Sequence, residues 1–263
     1  TLGIDADKLR AHLRAVASVR GDGCYNRATG RRIAALIAMH AFGHPLDLDA
    51  VAAVCAEYRL ALIEDAAESL GSFYRGKHTG THGRVGALSF NGNKIVTTGG
   101  GGAILTGDAT LAQRVRHLTT TAKLPHAWEY AHDRIGYNYR LPNLNAALGV
   151  AQLEQLPRFV QRKRALAVRY QEALADIPGI DVFHEAAFAR SNYWLNLVLL
   201  KHPDMALRDT ILQATHAAGV LTRPAWRLLS QLPMYAHCPH ADLAISENLA
   251  ARLICLPSSV ELI

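Results

Sequence analysis

The chain has 263 residues, half of them hydrophobic and 19% charged, which excludes a disordered chain and suits one large domain or two modest ones. No run of 18 apolar residues is present and no signal peptide is visible, so the reading is of a protein with no membrane partner. The net charge of +6 comes from scattered Lys and Arg rather than a basic stripe interleaved with aromatics, so nucleic acid is not an expected partner and phosphate-bearing small molecules suit the charge.

In chain order, Asp5 to Ala17 has helical character. Arg32 to His40 is an apolar run that reads as a buried strand, and Asp49 to Tyr58 has helical spacing. Leu60 to Ile63, Val85 to Phe90 and Gly102 to Thr106 are three further apolar runs. Asp108 is a plausible N-cap for a helix through Leu118. Continuous apolar strands alternating with helices predict an α/β sheet covered on both faces. Pro142 to Gln155 and Pro157 to Ala175 are Ala/Leu-rich helices broken at Pro157, and Pro178-Gly179 stops the second. Beyond them, Ile180 to Phe183 and Tyr193 to Leu200 read as strands, and Met205 to Ala218 as a helix. Leu221 to Trp226 reads as extended and Ala241 to Leu253 as a helix. The expected domains are therefore 1–157, a large one, and 158–263, a small α+β one.

The four cysteines form no CxxC pair and suit no zinc site, and Cys55 and Cys255 fall in apolar stretches read as helical. The pattern is that of a reducing compartment, and the expected location is cytoplasmic. His40 and His44 are four apart, but the Gly-Pro context argues against a helix presenting both, and no metal site is expected.

Three segments carry chemistry. In LALIEDAAES (60–69) a buried strand ends in Glu64 and Asp65, where open α/β sheets place ligands. The structural alternative is an acid that caps the next helix or pairs with an arginine. In SFNGNKIVTTGGGGAI (89–104) a strand leads to Ser89, a polar turn, Lys94 and the glycines 99–102. Such glycines allow close backbone approach to phosphate, or simply a hairpin turn; the spacing is not that of a Walker loop. In GYNYRLPNLNAALG (136–149), Asn138 and Arg140 precede a helix. Together, a strand-end Asp and a lysine in a neighbouring turn are the parts that pyridoxal 5'-phosphate (PLP) chemistry needs: an amine for the aldehyde and a carboxylate for the pyridine nitrogen.

These segments, in this order and ending with LPSS (256–259), resemble the DegT/DnrJ/EryC1/StrS sugar aminotransferases. MHAFGHP (39–45) and LTTTAKLPH (118–126) resemble most the branch that makes 4-amino sugars for nonulosonic acids or bacillosamine. The resemblance implies a fold-type-I PLP-dependent transferase, with a mostly parallel seven-stranded sheet in the large domain and a small C-terminal domain. The four apolar runs match only the later strands, and the chain reads as truncated at its N-terminus. By position, Lys94 would be the Schiff-base lysine, Asp65 would pair with the pyridine nitrogen, and Ser89 would bind the phosphate. Asn138 would reach the cofactor of a second subunit, since family sites form across a homodimer. Glu68 stands where relatives often have Gln or His beside the ring's phenolic oxygen.

The implied reaction is ping-pong transamination. L-glutamate leaves as 2-oxoglutarate, and the amino group passes to a nucleotide-linked keto-sugar, in the first place a UDP-linked 4-keto-6-deoxy-N-acetylhexosamine. Arg223, Trp226, Tyr193 and Trp194 are candidates for holding the nucleotide-sugar, each also a plausible packing residue. The alternatives are a PLP-dependent sugar dehydratase on the same scaffold, a non-catalytic binding protein, or an inactive fragment.

Overall fold

The computed structural model describes residues 1–262 and divides into two compact units. The first comprises residues 1–157 and 187–191, the second residues 158–186 and 192–263. The first unit opens with α1 (Ala6–Val16), capped by Asp5, whose side chain accepts from the Lys8 amide. A three-stranded antiparallel meander follows, β1 (Ala17–Arg20), β2 (Gly23–Asn26) and β3 (Arg32–Ile33). The apolar run at 32–40 thus serves two sheets, because β4 (Ala35–Met39) begins a second one after a break at Ala34.

The second sheet is built from the four expected runs. After α2 (Leu48–Glu57), β5 (Ala61–Asp65) pairs in parallel with β4. A short hairpin, β6 (Phe73–Tyr74) and β7 (Lys77–His78), precedes β8 (Val85–Ser89), which lies parallel to β5. β9 (Gly102–Leu105) returns antiparallel to β8, because a turn rather than a crossover helix joins them. The sheet order is β4-β5-β8-β9. α3 (Ala109–Thr119) follows, and Asp108 caps it as the sequence predicts, accepting from the Leu111 amide.

The two faces of this sheet differ. Leu36, Ala38 and Leu62 pack into a core with Val51, Val54 and Cys55 of α2 and with Leu13 of α1. The opposite face aligns Met39, Asp65, Ala87 and Ile104 in one register row. On it Ile37 is 67% exposed, and Met39 and Ile104 are about half exposed. The expectation of a sheet covered on both faces is therefore met on one face only within these residues.

α4 (Asn143–Glu154) closes the long first stretch of this unit, and α5 (Leu156–Leu174) leads into the second. There β10 (Ile180–Val182) starts a sheet, and the chain returns to the first unit for β11 (Ala189–Arg190), which pairs with β6. β12 (Asn196–Leu200), buried throughout, pairs with β10. α6 (Met205–Ala217), β13 (Arg223–Pro224), α7 (Ala244–Arg252) and β14 (Leu253–Leu256) complete an antiparallel β10-β12-β14-β13 sheet. Cys255 lies on β14 and not, as expected, in a helix; the apolar run Leu253–Leu256 ends α7 by pairing with β12.

Lys163 of α5 is buried, and its ammonium donates to the Ser258 carbonyl. Burial lowers its pKa to about 8. The folded state therefore disfavours the charged lysine. The penalty is full below about pH 8 and vanishes as pH rises past the ordinary lysine value, so urea unfolding should show stability rising by about 3 kcal/mol across that window. Lys163→Met is expected to abolish this rise. It should add about 1–2 kcal/mol at neutral pH, the lost bond to Ser258 offsetting part of the gain.

Candidate active site

The carboxyl ends of three parallel strands meet in the first unit, and each contributes one part of a site. β5 ends in Glu64 and Asp65, which the period of two sends to opposite faces. Glu64 points into the core and is fully buried. One of its oxygens accepts from the amides of His82 and Gly83, both at 2.6 Å. The other accepts from the Gly80 amide at 2.7 Å and from His40 Nε2 at 3.0 Å. His40 Nδ1 accepts from the Leu46 amide, which leaves the hydrogen on Nε2 for Glu64. Burial alone would raise the Glu64 carboxyl, but the His40 bond and the Gly83 and Gly80 amides outweigh it and hold the pKa at about 2. Glu64 is thus a structural clamp that ties β4, β5 and the 80–83 turn together. His40 is its partner.

Asp65 faces the other way, into the row with Met39, Ala87 and Ile104, and one carboxylate oxygen accepts from the Ala67 amide at 3.1 Å. The backbone of the same residue is fixed by the His40 amide, which donates to the Asp65 carbonyl. Glu68 lies in the turn that follows. Its Oε2 accepts from the Phe42 amide at 2.7 Å, and its Oε1 is 3.6 Å from Lys94 Nζ. Both side chains are largely buried, 16% and 13% exposed. Burial, reinforced by Asp65, raises the Glu68 carboxyl above the usual range, against the pull of the Phe42 amide and Lys94. The Phe42 amide, supplied by the short turn Ala41–Gly43 after β4, is a part that the sequence did not reveal.

Ser89 ends β8, and its hydroxyl accepts from the Asn91 amide at 3.3 Å. The Lys94 amide donates to the Asn91 carbonyl, closing the turn that carries the lysine. The glycine run is shaped by packing. A Cβ on Gly102 would stand 2.3 Å from the Leu88 carbonyl oxygen, and one on Gly101, at φ +88°, would stand 2.7 Å from Leu141. Beside the run is a recess of about 500 Å³ lined by Gly100, Tyr139, Arg140 and Asn145 among others. Asn138 is exposed on the adjoining segment and is bridged to Thr120.

The structure thus brings Lys94 and Glu68 together, with Asp65 and Ser89 at neighbouring strand ends. The four nucleotide-sugar candidates lie in the second unit. Tyr193 and Trp194 are buried there. The Tyr193 hydroxyl accepts from the Glu185 amide, and Trp194 stacks on Trp226 at 5.9 Å between centroids. Arg223 is exposed beside His216.

The profile of the DegT/DnrJ/EryC1/StrS aminotransferase family matches residues 25–263. The chain belongs to that family. EpsN of Bacillus subtilis (strain 168), named as pyridoxal phosphate-dependent, is 40% identical over 228 residues, 85% of this chain and 58% of EpsN. A GDP-perosamine synthase of Escherichia coli O157:H7 is 37% identical over 85% of this chain and 60% of its own length. Among solved structures, a DegT DnrJ EryC1 StrS aminotransferase from Brucella abortus superposes with a TM-score of 0.86 at 28% identity, covering 99% of this chain and 66% of that one. Helicobacter pylori PseC, an aminotransferase of pseudoaminic acid biosynthesis, superposes with a TM-score of 0.83 at 25% identity, covering 88% and 62%. The chain spans about three-fifths of the length of the curated relatives it matches. Its fold is that of the fold-type-I family members. No helix among the described residues is long and apolar enough to cross a membrane.

Proposed function

We propose that this chain carries the cofactor site of a PLP-dependent aminotransferase that moves an amino group from L-glutamate to a nucleotide-linked 4-keto-6-deoxy sugar. The observation that carries the reading is the convergence of Lys94, Asp65 and Ser89 at the carboxyl ends of β5 and β8 in a chain of this family. The residues fit the cofactor. A largely buried amine sits in a polar turn, and a carboxylate projects from the open face of the sheet. When bound, PLP supplies an aldehyde carbon and an electron-accepting ring.

Lys94 would supply the amine that holds that carbon and, with its amine free, would take the proton from the donor's α-carbon. Asp65 holds a proton on the pyridine nitrogen; a charge pair about 4 Å apart is worth about 4 kcal/mol at an effective dielectric of about 20. The Ser89 hydroxyl binds phosphate, and Asn138 reaches the phosphate site of a second copy. Support for a homodimer comes from the apolar surface around Asn138: Trp128, Tyr130, Ile135 and Tyr139 are each more than 70% exposed, as is Leu144 of α4. Toward the acceptor, Lys94 would deliver a proton to the sugar carbon, and a 4-amino sugar would be the product. A cytoplasmic location agrees with a nucleotide-sugar substrate and with free cysteines at all four positions.

For the acceptor, the branch resemblance supports a UDP-linked 4-keto-6-deoxy-N-acetylhexosamine. The 37% identity to a GDP-perosamine synthase supports a GDP-linked keto-sugar as the second reading. Incubation with PLP, L-glutamate and each of the two acceptors should give amino sugar and 2-oxoglutarate in equal amounts from one of them. Consumption of the sugar without stoichiometric loss of glutamate would establish dehydration and overturn the transaminase reading.

A further inference from the structure

We propose that Ser191 is a positioning residue for Lys94, acting through a turn that lies 148 residues before it. The Ser191 hydroxyl donates to the Gly43 carbonyl at 2.9 Å, and the Ser72 hydroxyl donates to the same oxygen at 2.7 Å. Both serines are fully buried. The pairing of β11 with β6 brings them there. Ala189 opposes Tyr74 and Arg190 opposes Phe73, so the next step of the antiparallel register sets Ser191 against Ser72. A carbonyl oxygen has two lone pairs, and the two hydroxyls can use both.

This carbonyl matters because of the residue before it. Phe42 has φ 58°, a left-handed conformation that a bulky residue keeps only where its surroundings fix it. The turn is fixed at both ends. Before it, the buried His40 ring meets Glu64, and the His40 carbonyl accepts from the Gly43 amide. After it, the two serine hydroxyls hold Gly43. Held in this way, the Phe42 amide donates to Glu68 Oε2 at 2.7 Å, and Glu68 Oε1 stands 3.6 Å from Lys94 Nζ. Each link is a direct contact, so the placement of Ser191 is carried through the turn and the carboxylate to the lysine. The last link is an ordinary, largely buried ion pair, and the serine supplies its geometry. A serine that only secured the fold would behave differently. Its loss would add to the loss of Glu68, whereas a loss that passes through Glu68 disappears once Glu68 is gone.

The test needs no cofactor. The chain free of PLP is acetylated briefly with acetic anhydride at one pH, and the labelling of each lysine is read by mass spectrometry. Ser191→Ala leaves Ser72 on the Gly43 carbonyl, so that acceptor is not orphaned. With the turn loosened, the Lys94 amine leaves Glu68 more often. It should be labelled about 2–10-fold faster than in the wild type, the weight of one hydrogen bond, with the exposed Lys8 and Lys201 unchanged. Ser191→Cys, of similar size but a weaker donor, reads the same link should the alanine variant not fold. Glu68→Ala should free the amine by itself, and Ser191→Ala added to it should change nothing further. Unchanged Lys94 labelling in the Ser191 variants, or an equal effect of Ser191→Ala with and without Glu68, would overturn the proposal. The inference rests on Lys94 being the lysine that meets the cofactor, and adding PLP separates the two. Coupled labelling with no yellow Lys94-dependent band would keep the positioning and remove the cofactor assignment. A band with uncoupled labelling would do the reverse.

Discussion

Lys94→Ala should abolish the yellow band formed with PLP and lower glutamate-dependent turnover by about 10⁴-fold, the upper end of what one positioned acid–base group contributes. The loss is this large because one amine serves two purposes. In the proposed reading it is the nucleophile that captures the aldehyde and also the base that carries the proton between carbons. Lys94→Arg should do no better. A guanidinium keeps the positive charge near Glu68, but it is not deprotonated at any working pH and forms no imine. Lys94→Ala should lose some stability, since it leaves the largely buried Glu68 without its cationic neighbour. A urea midpoint that still leaves the variant folded under assay conditions would assign the loss of the band to chemistry. A variant that kept the band would show that another lysine captures the aldehyde, and Lys94 would lose its assigned role.

The skeleton of this site was legible in the sequence because its strands are continuous apolar runs that end in polar residues. The runs at 60–63, 85–90 and 102–106 and the second half of 32–40 became strands of one sheet, and Asp108 caps its helix where its chemistry predicts. What escaped was short or non-local. β1 to β3 are brief, partly polar strands whose turns use Gly21 and Gly30, and β11 pairs with β6 across more than a hundred residues. The break at Ala34 was hidden because an apolar run does not show which of two sheets each half will join.

The carboxylate pair teaches a finer lesson. Glu64 and Asp65 looked equivalent at a strand end, yet the alternation Leu62–Glu64 against Ile63–Asp65 separates them: the first pair faces the core, the second the open side. That alternation was available as a signal. The Phe42 amide was not, because a left-handed phenylalanine in Ala41–Gly43 announces itself only through its φ angle. The link between Glu68 and Lys94 likewise needed the third dimension, since they stand 26 positions apart with three strands, β6 to β8, between them.

Glu64→Ala is expected to destabilise the chain by about 3–5 kcal/mol, a large share of the roughly 5–15 kcal/mol that holds a folded domain together. The carboxylate meets three amides and the His40 ring in a fully buried setting, so its removal strands four donors without water. Glu64→Gln should cost almost as much, because one of its two ends becomes an amide donor pointed at other donors. The pH dependence gives the sharper test. The folded pKa of about 2 lies below the ordinary glutamate value, so the folded state favours the ionised form. Its contribution is present in full above the ordinary value and is lost as pH falls toward about 2. The shift corresponds to about 3 kcal/mol at neutral pH. Urea midpoints for the wild type should therefore fall across that acid window, and Glu64→Gln should show a visibly shallower fall. Because the same clamp sets the end of β4, and the His40 amide fixes the Asp65 backbone, the acid loss should also weaken PLP capture before global unfolding. Equal acid limbs for wild type and Glu64→Gln would show that the buried carboxylate is not what holds these strand ends.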